Sequence, residues 1–133
     1  MKSYFAVLAA LLGTALSSGC FVGIDDHRSP GDAIFTVEWR IDGSSSPAAC
    51  FDFGVDAAYV TVESRFGTED AVTVNCEDFG YDFFLLPGRY WVTVQLLDRR
   101  QREITSVIET LEYDLYAGDG EVVVADFPPD SFF

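Results

Sequence analysis

Basic side chains are scarce in this chain of 133 residues. It has 8 Lys and Arg against 22 Asp and Glu, which gives a formal charge of -14 at pH 7, and Lys2 is its single lysine. Nucleic-acid binding needs a basic patch that displaces counterions from the phosphates, and this surface would repel them. The composition therefore predicts no nucleic-acid partner.

Histidine and phosphate-binding glycine motifs are also nearly absent. His27 is the only histidine, and it precedes the predicted domain, so a nucleophilic Ser or Cys would have no imidazole base beside it. Neither GxxxxGK[ST] nor GxGxxG occurs, so a phosphate-cradling loop has no support. Carboxylate-dependent hydrolysis stays open, because two acids suffice for it, although an acidic solvated surface gives the same abundance of carboxylates.

Long hydrophobic runs are missing apart from one short run at the N-terminus. Residues 4–16 are apolar or weakly polar, follow Lys2 and precede the small residues 17–19. This pattern is typical of a secretory signal peptide. A membrane-spanning helix needs roughly 18 or more consecutive apolar residues, so we predict a cleaved signal peptide over residues 1–19.

The segment Leu16-Ser17-Ser18-Gly19-Cys20 resembles the lipobox of bacterial lipoproteins. In that family a cysteine after a small residue is linked to diacylglycerol and becomes the new N-terminus; leucine usually stands three residues before it, where this chain has Ser17. The resemblance implies a lipid on Cys20 and, with Phe21 rather than Asp next, release to the outer membrane. Acyl chains contribute about 0.8 kcal/mol of membrane-binding free energy per buried methylene. The alternative is an ordinary secretory signal with a chance cysteine.

Three cysteines are an odd number for an exported chain. If Cys20 carries lipid, Cys50 and Cys76 remain as one pair, and export leads to an oxidising compartment. We therefore predict a Cys50–Cys76 disulfide. By closing a loop of about 27 residues, it should add about 3 kcal/mol to the free energy of unfolding. A zinc site is the competing interpretation, but CxxC spacing is absent and one histidine does not complete a ligand set.

Beyond a predicted tether over residues 20–32, the dominant hydrophobic period is two. In residues 33–41 apolar side chains alternate with polar ones, which predicts a half-buried strand. Further strands are predicted over residues 57–64, 71–76, 81–86, 89–97, 107–115 and 121–127. Seven short strands separated by turn residues indicate the all-β class and a single seven-stranded antiparallel β-sandwich over residues 33–133. No helical period is evident outside the signal.

Residues 85–94, Leu-Leu-Pro-Gly-Arg-Tyr-Trp-Val-Thr-Val, resemble the Leu-x-Pro-Gly-x-Tyr-x-Val-x-Val turn and strand of transthyretin-like and carboxypeptidase regulatory-like sandwiches and of related fibronectin-like modules. The resemblance implies an immunoglobulin- or transthyretin-like architecture without a catalytic residue. Pro87 and Gly88 favour a tight turn, and Tyr90 should begin the next strand with its ring inside. An outer-membrane barrel is the rival architecture, but it needs lipid-facing strands of about 9–11 residues, and residues 127–130 interrupt the last strand.

Three groups of residues are candidates for ligand binding. Asp114, Asp119 and Glu121 could supply carboxylate oxygens to calcium, although their spacing is not that of an EF-hand. Tyr59 and Trp91 could stack on a sugar if both rings are exposed. The arginines within residues 98–102 predict a solvated hairpin turn or, alternatively, contact with an anionic surface.

The sequence as a whole predicts a non-enzymatic, lipid-anchored β-sandwich of the cell envelope that needs no cofactor and acts as a structural or protein-interaction module. The alternatives are a carbohydrate- or calcium-binding accessory module and, less favoured, a carboxylate-dependent hydrolase. Each predicts a different surface. An interaction module needs a contiguous apolar patch, a sugar site needs exposed aromatic rings among polar groups, and an enzyme needs a concave pocket with acids of perturbed pKa.

Overall fold

A computed structural model describes residues 31–133, so the predicted signal peptide, Cys20 and His27 lie outside the described residues. The all-β class is confirmed, because strands dominate and helix is minor. The elements in chain order are β1 (Ala33–Ile41), α1 (Pro47–Asp52), β2 (Ala57–Ser64), β3 (Gly67–Asn75), β4 (Gly80–Leu85), β5 (Gly88–Leu97), β6 (Ile108–Glu109), β7 (Tyr113–Leu115) and β8 (Gly120–Phe127).

The strands form two sheets. Sheet A has the order β4-β1-β8, and sheet B has the order β3-β2-β5-β6, with β7 also paired to β5. β1 is antiparallel to β4 but parallel to β8, which corrects the prediction of a purely antiparallel sandwich. Parallel neighbours require a long crossover connection, and here all the elements between β1 and β8 provide it.

The core lies between the inner faces of the two sheets. Strand alternation places successive side chains on opposite faces, and every second residue of β1, β2 and β5 is buried. The inward residues of these three strands include Phe35, Val37, Trp39, Ile41, Val60, Val62, Val92 and Val94. Trp39 is the largest fully buried side chain, and its indole Nε1 donates a hydrogen bond to the Cys76 carbonyl at 3.0 Å.

The strand predicted over residues 107–115 is two strands, so the described domain has eight strands rather than seven. β6 and β7 are separated at Thr110, whose N–H donates to the Val92 carbonyl while its Oγ1 accepts the Val92 N–H. Because a side chain replaces one backbone partner there, the regular ladder stops. The alternation expected across this segment is also wrong at Val107 and Leu111, which are exposed.

Helix α1 was not anticipated by the hydrophobic pattern. It has six residues and begins with Pro47, which suits the first turn because its missing N–H would be unpaired there anyway. A helix this short presents too few turns to show a 3.6-residue period. Its buried residues are Ala49 and Cys50, and the predicted disulfide to Cys76 is confirmed, with a Cα–Cα distance of 6.1 Å.

Replacing Cys50 and Cys76 together with alanine should lower the free energy of unfolding by about 3 kcal/mol, because the unfolded chain gains the entropy that the cross-link removes. Urea denaturation of the parent with and without reductant provides the matched comparison, and reduction should cause a similar loss. The intact mass should rise by two hydrogens on reduction. Two free thiols in protein exported to an oxidising compartment would contradict the pairing.

Candidate functional site

Apolar side chains are exposed together on the outer face of sheet A. Ile34 of β1 lies directly opposite Phe84 of β4 on one side and Gly120 of β8 on the other. Val122 and Val124 are the next outward residues of β8. Phe84, Val122 and Val124 are 43%, 56% and 44% exposed, and Ile34 is half-buried. We call Ile34, Phe84, Val122 and Val124 the apolar face.

The sequence of β8 explains why valines point into solvent. Val123, Ala125 and Phe127 are buried in the core, so alternation turns Val122 and Val124 outward. A strand with one solvated face usually carries polar residues at those positions. The run of three valines is therefore a local signal that the outer face of β8 is apolar, a feature that strand alternation alone did not single out.

Acidic groups border the apolar face. Asp82 lies opposite Thr36 and accepts a hydrogen bond of 2.6 Å from its Oγ1. Farther along the sheet, Glu38 is outward on β1, and Arg40 stands opposite Asp126. The outer face thus carries three carboxylates against one guanidinium, and the surroundings of the apolar face have a negative potential.

Two open grooves lie beside the sandwich. The smaller, of about 520 Å³, is lined by outward residues of β1 and β4 together with part of Trp39. The larger, of about 850 Å³, surrounds the disulfide and has both acidic and arginine side chains at its walls. Within residues 31–133, no buried side-chain nitrogen or oxygen lacks a hydrogen-bond partner. Neither groove therefore presents a buried, unsatisfied polar side chain to a ligand.

Residues 98–102 form a tight turn at one wall of the larger groove. Asp98 Oδ1 accepts the N–H groups of Arg100 and Arg102, and its Oδ2 binds the Arg102 guanidinium at 2.6 and 2.8 Å. These bonds, with the Arg102 side chain contributing most, hold the pKa of Asp98 below its usual value. A general acid needs the opposite shift, so Asp98 organises the turn and does not resemble a catalytic acid.

Two of the three calcium candidates have separate hydrogen-bond partners, and the third lies at a different strand position. Asp114 Oδ1 accepts a hydrogen bond of 2.8 Å from Arg89 Nε, and Asp119 Oδ2 accepts the Tyr116 N–H at 2.9 Å. Glu121 lies in β8 opposite Phe35. In the part of the chain that the structure describes, no three His, Cys, Asp or Glu side chains are grouped to hold a metal ion. The structure does not bring the three candidates together as a ligand set.

The two sugar-stacking candidates share the outer face of sheet B. Tyr59 lies opposite Gln95, and Trp91 lies four residues before Gln95 on β5, so the rings are two outward positions apart. Thr61 and Thr93 occupy the position between them and are hydrogen-bonded through their hydroxyls. Tyr59 is 40% exposed and Trp91 is half-buried. The threonine pair therefore separates the two rings, and they do not form one continuous surface on which a sugar could stack.

No protein-family model matches this chain, and no curated protein matches it. Among the described candidates, the apolar face has the property expected of an interaction module, since its side chains are contiguous across three strands and remain exposed.

Proposed function

We propose that this protein is a lipid-anchored β-sandwich of the cell envelope that acts as a protein-interaction module through the apolar face. The observation that carries the proposal is the exposure of Phe84, Val122 and Val124 on one continuous sheet surface. Contiguous apolar patches rimmed by polar groups mark sites of association. A partner that covers this patch would remove it from water and gain the corresponding hydrophobic free energy.

The lipid anchor is supported by the lipobox resemblance at Cys20. Removal of residues 1–19 would leave 7 Arg against 22 Asp and Glu, a formal charge of -15. Anionic headgroups repel such a chain, so acyl chains would have to supply the membrane attachment. The segment from Cys20 to β1 would serve as the tether. Residues 31–133 contain no helix that is both long enough and apolar enough to cross a membrane.

The closer assignment to transthyretin-like or related sandwiches is part of the proposal. It is supported by the resemblance of residues 85–94 and by their position, because Leu86 and Pro87 form the turn that joins β4 to β5. Tyr90 is buried at the beginning of β5, as that resemblance implies. In such domains this segment stabilises the fold, which agrees with a non-enzymatic role.

Cys20→Ser should move the protein from the membrane fraction to the soluble fraction, because the variant lacks the thiol that would carry diacylglycerol. Cell fractionation measures the change. Oxidation of Cys50 and Cys76 in the variant provides the control that it was still exported. A variant that remains in the membrane pellet as completely as the parent would show that the anchor is elsewhere.

The double variant Phe84→Thr, Val122→Thr should lose the protein contacts that chemical cross-linking detects in whole cells. Threonine keeps a high strand propensity, and both positions are exposed, so unfolding free energy should change by about 1 kcal/mol or less. The matched control is Phe66→Thr, an exposed aromatic residue in the β2–β3 turn. Identical cross-linked products from all three proteins would refute an interaction through the apolar face.

A carbohydrate-binding module is the second candidate, favoured by the exposed ring of Tyr59 on a face that also carries Trp91 and two threonines. Titration with soluble oligosaccharides should then change the fluorescence of Trp91, since stacking alters the surroundings of its indole. Trp91→Ala would be the control, because the buried Trp39 also fluoresces. Unchanged emission across neutral oligosaccharides would remove this candidate.

A further inference from the structure

Several strands of the described domain have a free edge. β8 and β4 each pair only with β1, and β3 pairs only with β2 among the strands of residues 31–133. The outer N–H and C=O groups of such strands are a template for an added strand from another chain. Proteins usually protect these edges by charges, bulges, prolines or short length.

The protection differs from edge to edge. β3 carries Glu69 and Asp70 beside an irregularity in its pairing with β2, and β4 is six residues long with Asp82 inside it. β6 and β7 have two and three residues. β8 has eight residues, and residues 122–125 are Val-Val-Val-Ala without a charge. Residues 71–75 of β3 also lack a charge, but of these two edge strands β8 is the one that contributes to the apolar face.

The surroundings of β8 limit where a new strand could lie. β6 approaches β8, but β6 pairs with β5, and the outward valines remain exposed. Pro128 and Pro129 follow β8 directly, and proline has no N–H to offer a ladder. An added strand would therefore pair within Gly120–Phe127, and every second side chain would lie beside Val122 and Val124.

The charge of the surface decides what kind of chain could occupy this edge. Glu38, Asp82 and Asp126 outnumber Arg40 around the apolar face, and the whole chain has a formal charge of -14. A second copy would bring the same negative charge, and an anionic lipid surface would also be repelled. A cationic segment would be attracted at long range and could pair with Asp126 at close range.

We infer that the free edge of β8 accepts an extended, basic segment of a partner protein as an additional strand. The segment carries apolar side chains at alternate positions, next to Val122 and Val124, and a lysine or arginine directed to Asp126. This mode of binding is β-augmentation, in which backbone hydrogen bonds supply affinity and alternate side chains supply specificity. The inference rests on the proposed function, because it specifies the partner of the same apolar face.

Photocross-linking in cells that express the full chain tests the geometry. The photoreactive residue p-benzoylphenylalanine replaces Val122 or Val124 in two separate proteins, and mass spectrometry maps the cross-linked sites. We expect both positions to label one partner segment, at sites two residues apart, with a lysine or arginine close by. Thr73, which is exposed on the outer face of sheet B, is the control position and should not label that segment.

Charge variants at one position test the sign of the partner. With the photoreactive residue at position 122, Val124→Lys should reduce the cross-linking yield by about tenfold, whereas Val124→Glu should reduce it by less than about threefold. Both variants remove the apolar contact and both add a charge; since Glu38 lies directly opposite position 124 on β1 and would attract the lysine but repel the glutamate, the yields are compared at a temperature at which both variants are folded. Equal losses for the two variants, with equal thermal stability, would overturn the inference of a basic partner.

The remaining outcomes separate this inference from the proposed function. Labelling of a second copy, of lipid alone, or of partner sites three to four residues apart would overturn strand addition. If a protein partner is labelled from Phe84 but not from β8, the interaction module stands and strand addition fails. If positions 84, 122 and 124 label no protein at all, both proposals are wrong.

Discussion

Replacing Trp39 with alanine should remove a large part of the domain's free energy of unfolding. Trp39 of β1 is 0% exposed, and its indole Nε1 donates to the Cys76 carbonyl at 3.0 Å. Truncation of a large buried aromatic residue costs about 3–5 kcal/mol through lost transfer free energy and the cavity that remains. The total stability of a domain is about 5–15 kcal/mol. Urea denaturation followed by far-UV circular dichroism measures the loss.

Trp39→Phe is the matched control, because it keeps an aromatic ring but removes the N–H donor. The Cys76 carbonyl would still accept the Phe79 N–H at 3.1 Å, so it would not be left without a partner. The hydrogen-bond loss should therefore be about 1 kcal/mol, with a small addition for the reduced volume. If alanine at position 39 cost no more than phenylalanine, Trp39 would not be the centre of the core.

Two strands were predictable with their correct bounds. The predictions for residues 33–41 and 57–64 coincide with β1 and β2. Apart from the outward Ile34 and Tyr59, apolar residues in both strands alternate with polar or small ones, and the apolar set faces the core. The local pattern therefore contains the information about burial, and the strand bounds follow from where the alternation stops.

The prediction was less accurate where tertiary contacts decide the structure. β3 was expected over residues 71–76 but begins at Gly67, and its first five residues are exposed. They form a strand because the edge of β2 offers hydrogen-bond partners, and no burial pattern reports that. Helix α1 is likewise joined by its disulfide to Cys76, which lies 26 positions away, and no local hydrophobic pattern reports that contact.

Predicting the apolar face from sequence would have required still more knowledge of how distant strands pair. The apolar face combines Ile34, Phe84 and Val122, which come from widely separated parts of the chain and meet because β4 and β8 flank β1. Local alternation predicts which face a residue occupies but not which strands are neighbours. For the same reason, sequence placed Tyr59 and Trp91 on strands without giving their separation. The disulfide was predictable, because cysteine arithmetic left one pair.

Tyr90→Ala should destabilise the domain nearly as much as the Trp39 variant does. Tyr90 is 9% exposed, and its hydroxyl donates to the Leu86 carbonyl at 2.8 Å across the β4–β5 turn. The side chain packs over Gly88, where an added Cβ would lie 3.1 Å from the Tyr90 hydroxyl oxygen and 3.2 to 3.3 Å from its ring atoms. Burial raises the pKa of the Tyr90 hydroxyl, and the charge of Glu69 raises it further. The arrangement resembles a tyrosine corner, in which the ring and hydroxyl fix a turn.

The expected loss for Tyr90→Ala is about 3–5 kcal/mol, since both the buried ring and its hydrogen bond disappear. Tyr90→Phe should cost only about 1 kcal/mol, the contribution of the hydrogen bond. Arg89→Ala provides the neighbouring control, because Arg89 is exposed and its ion pair with Asp114, at 2.8 Å, is solvated. Exposed pairs contribute little, so that loss should be much smaller than the loss for Tyr90→Ala. Equal and small losses for Tyr90→Ala and Arg89→Ala in denaturant melts would contradict the alternation of β5, because an inward and an outward residue of one strand cannot contribute equally to the core.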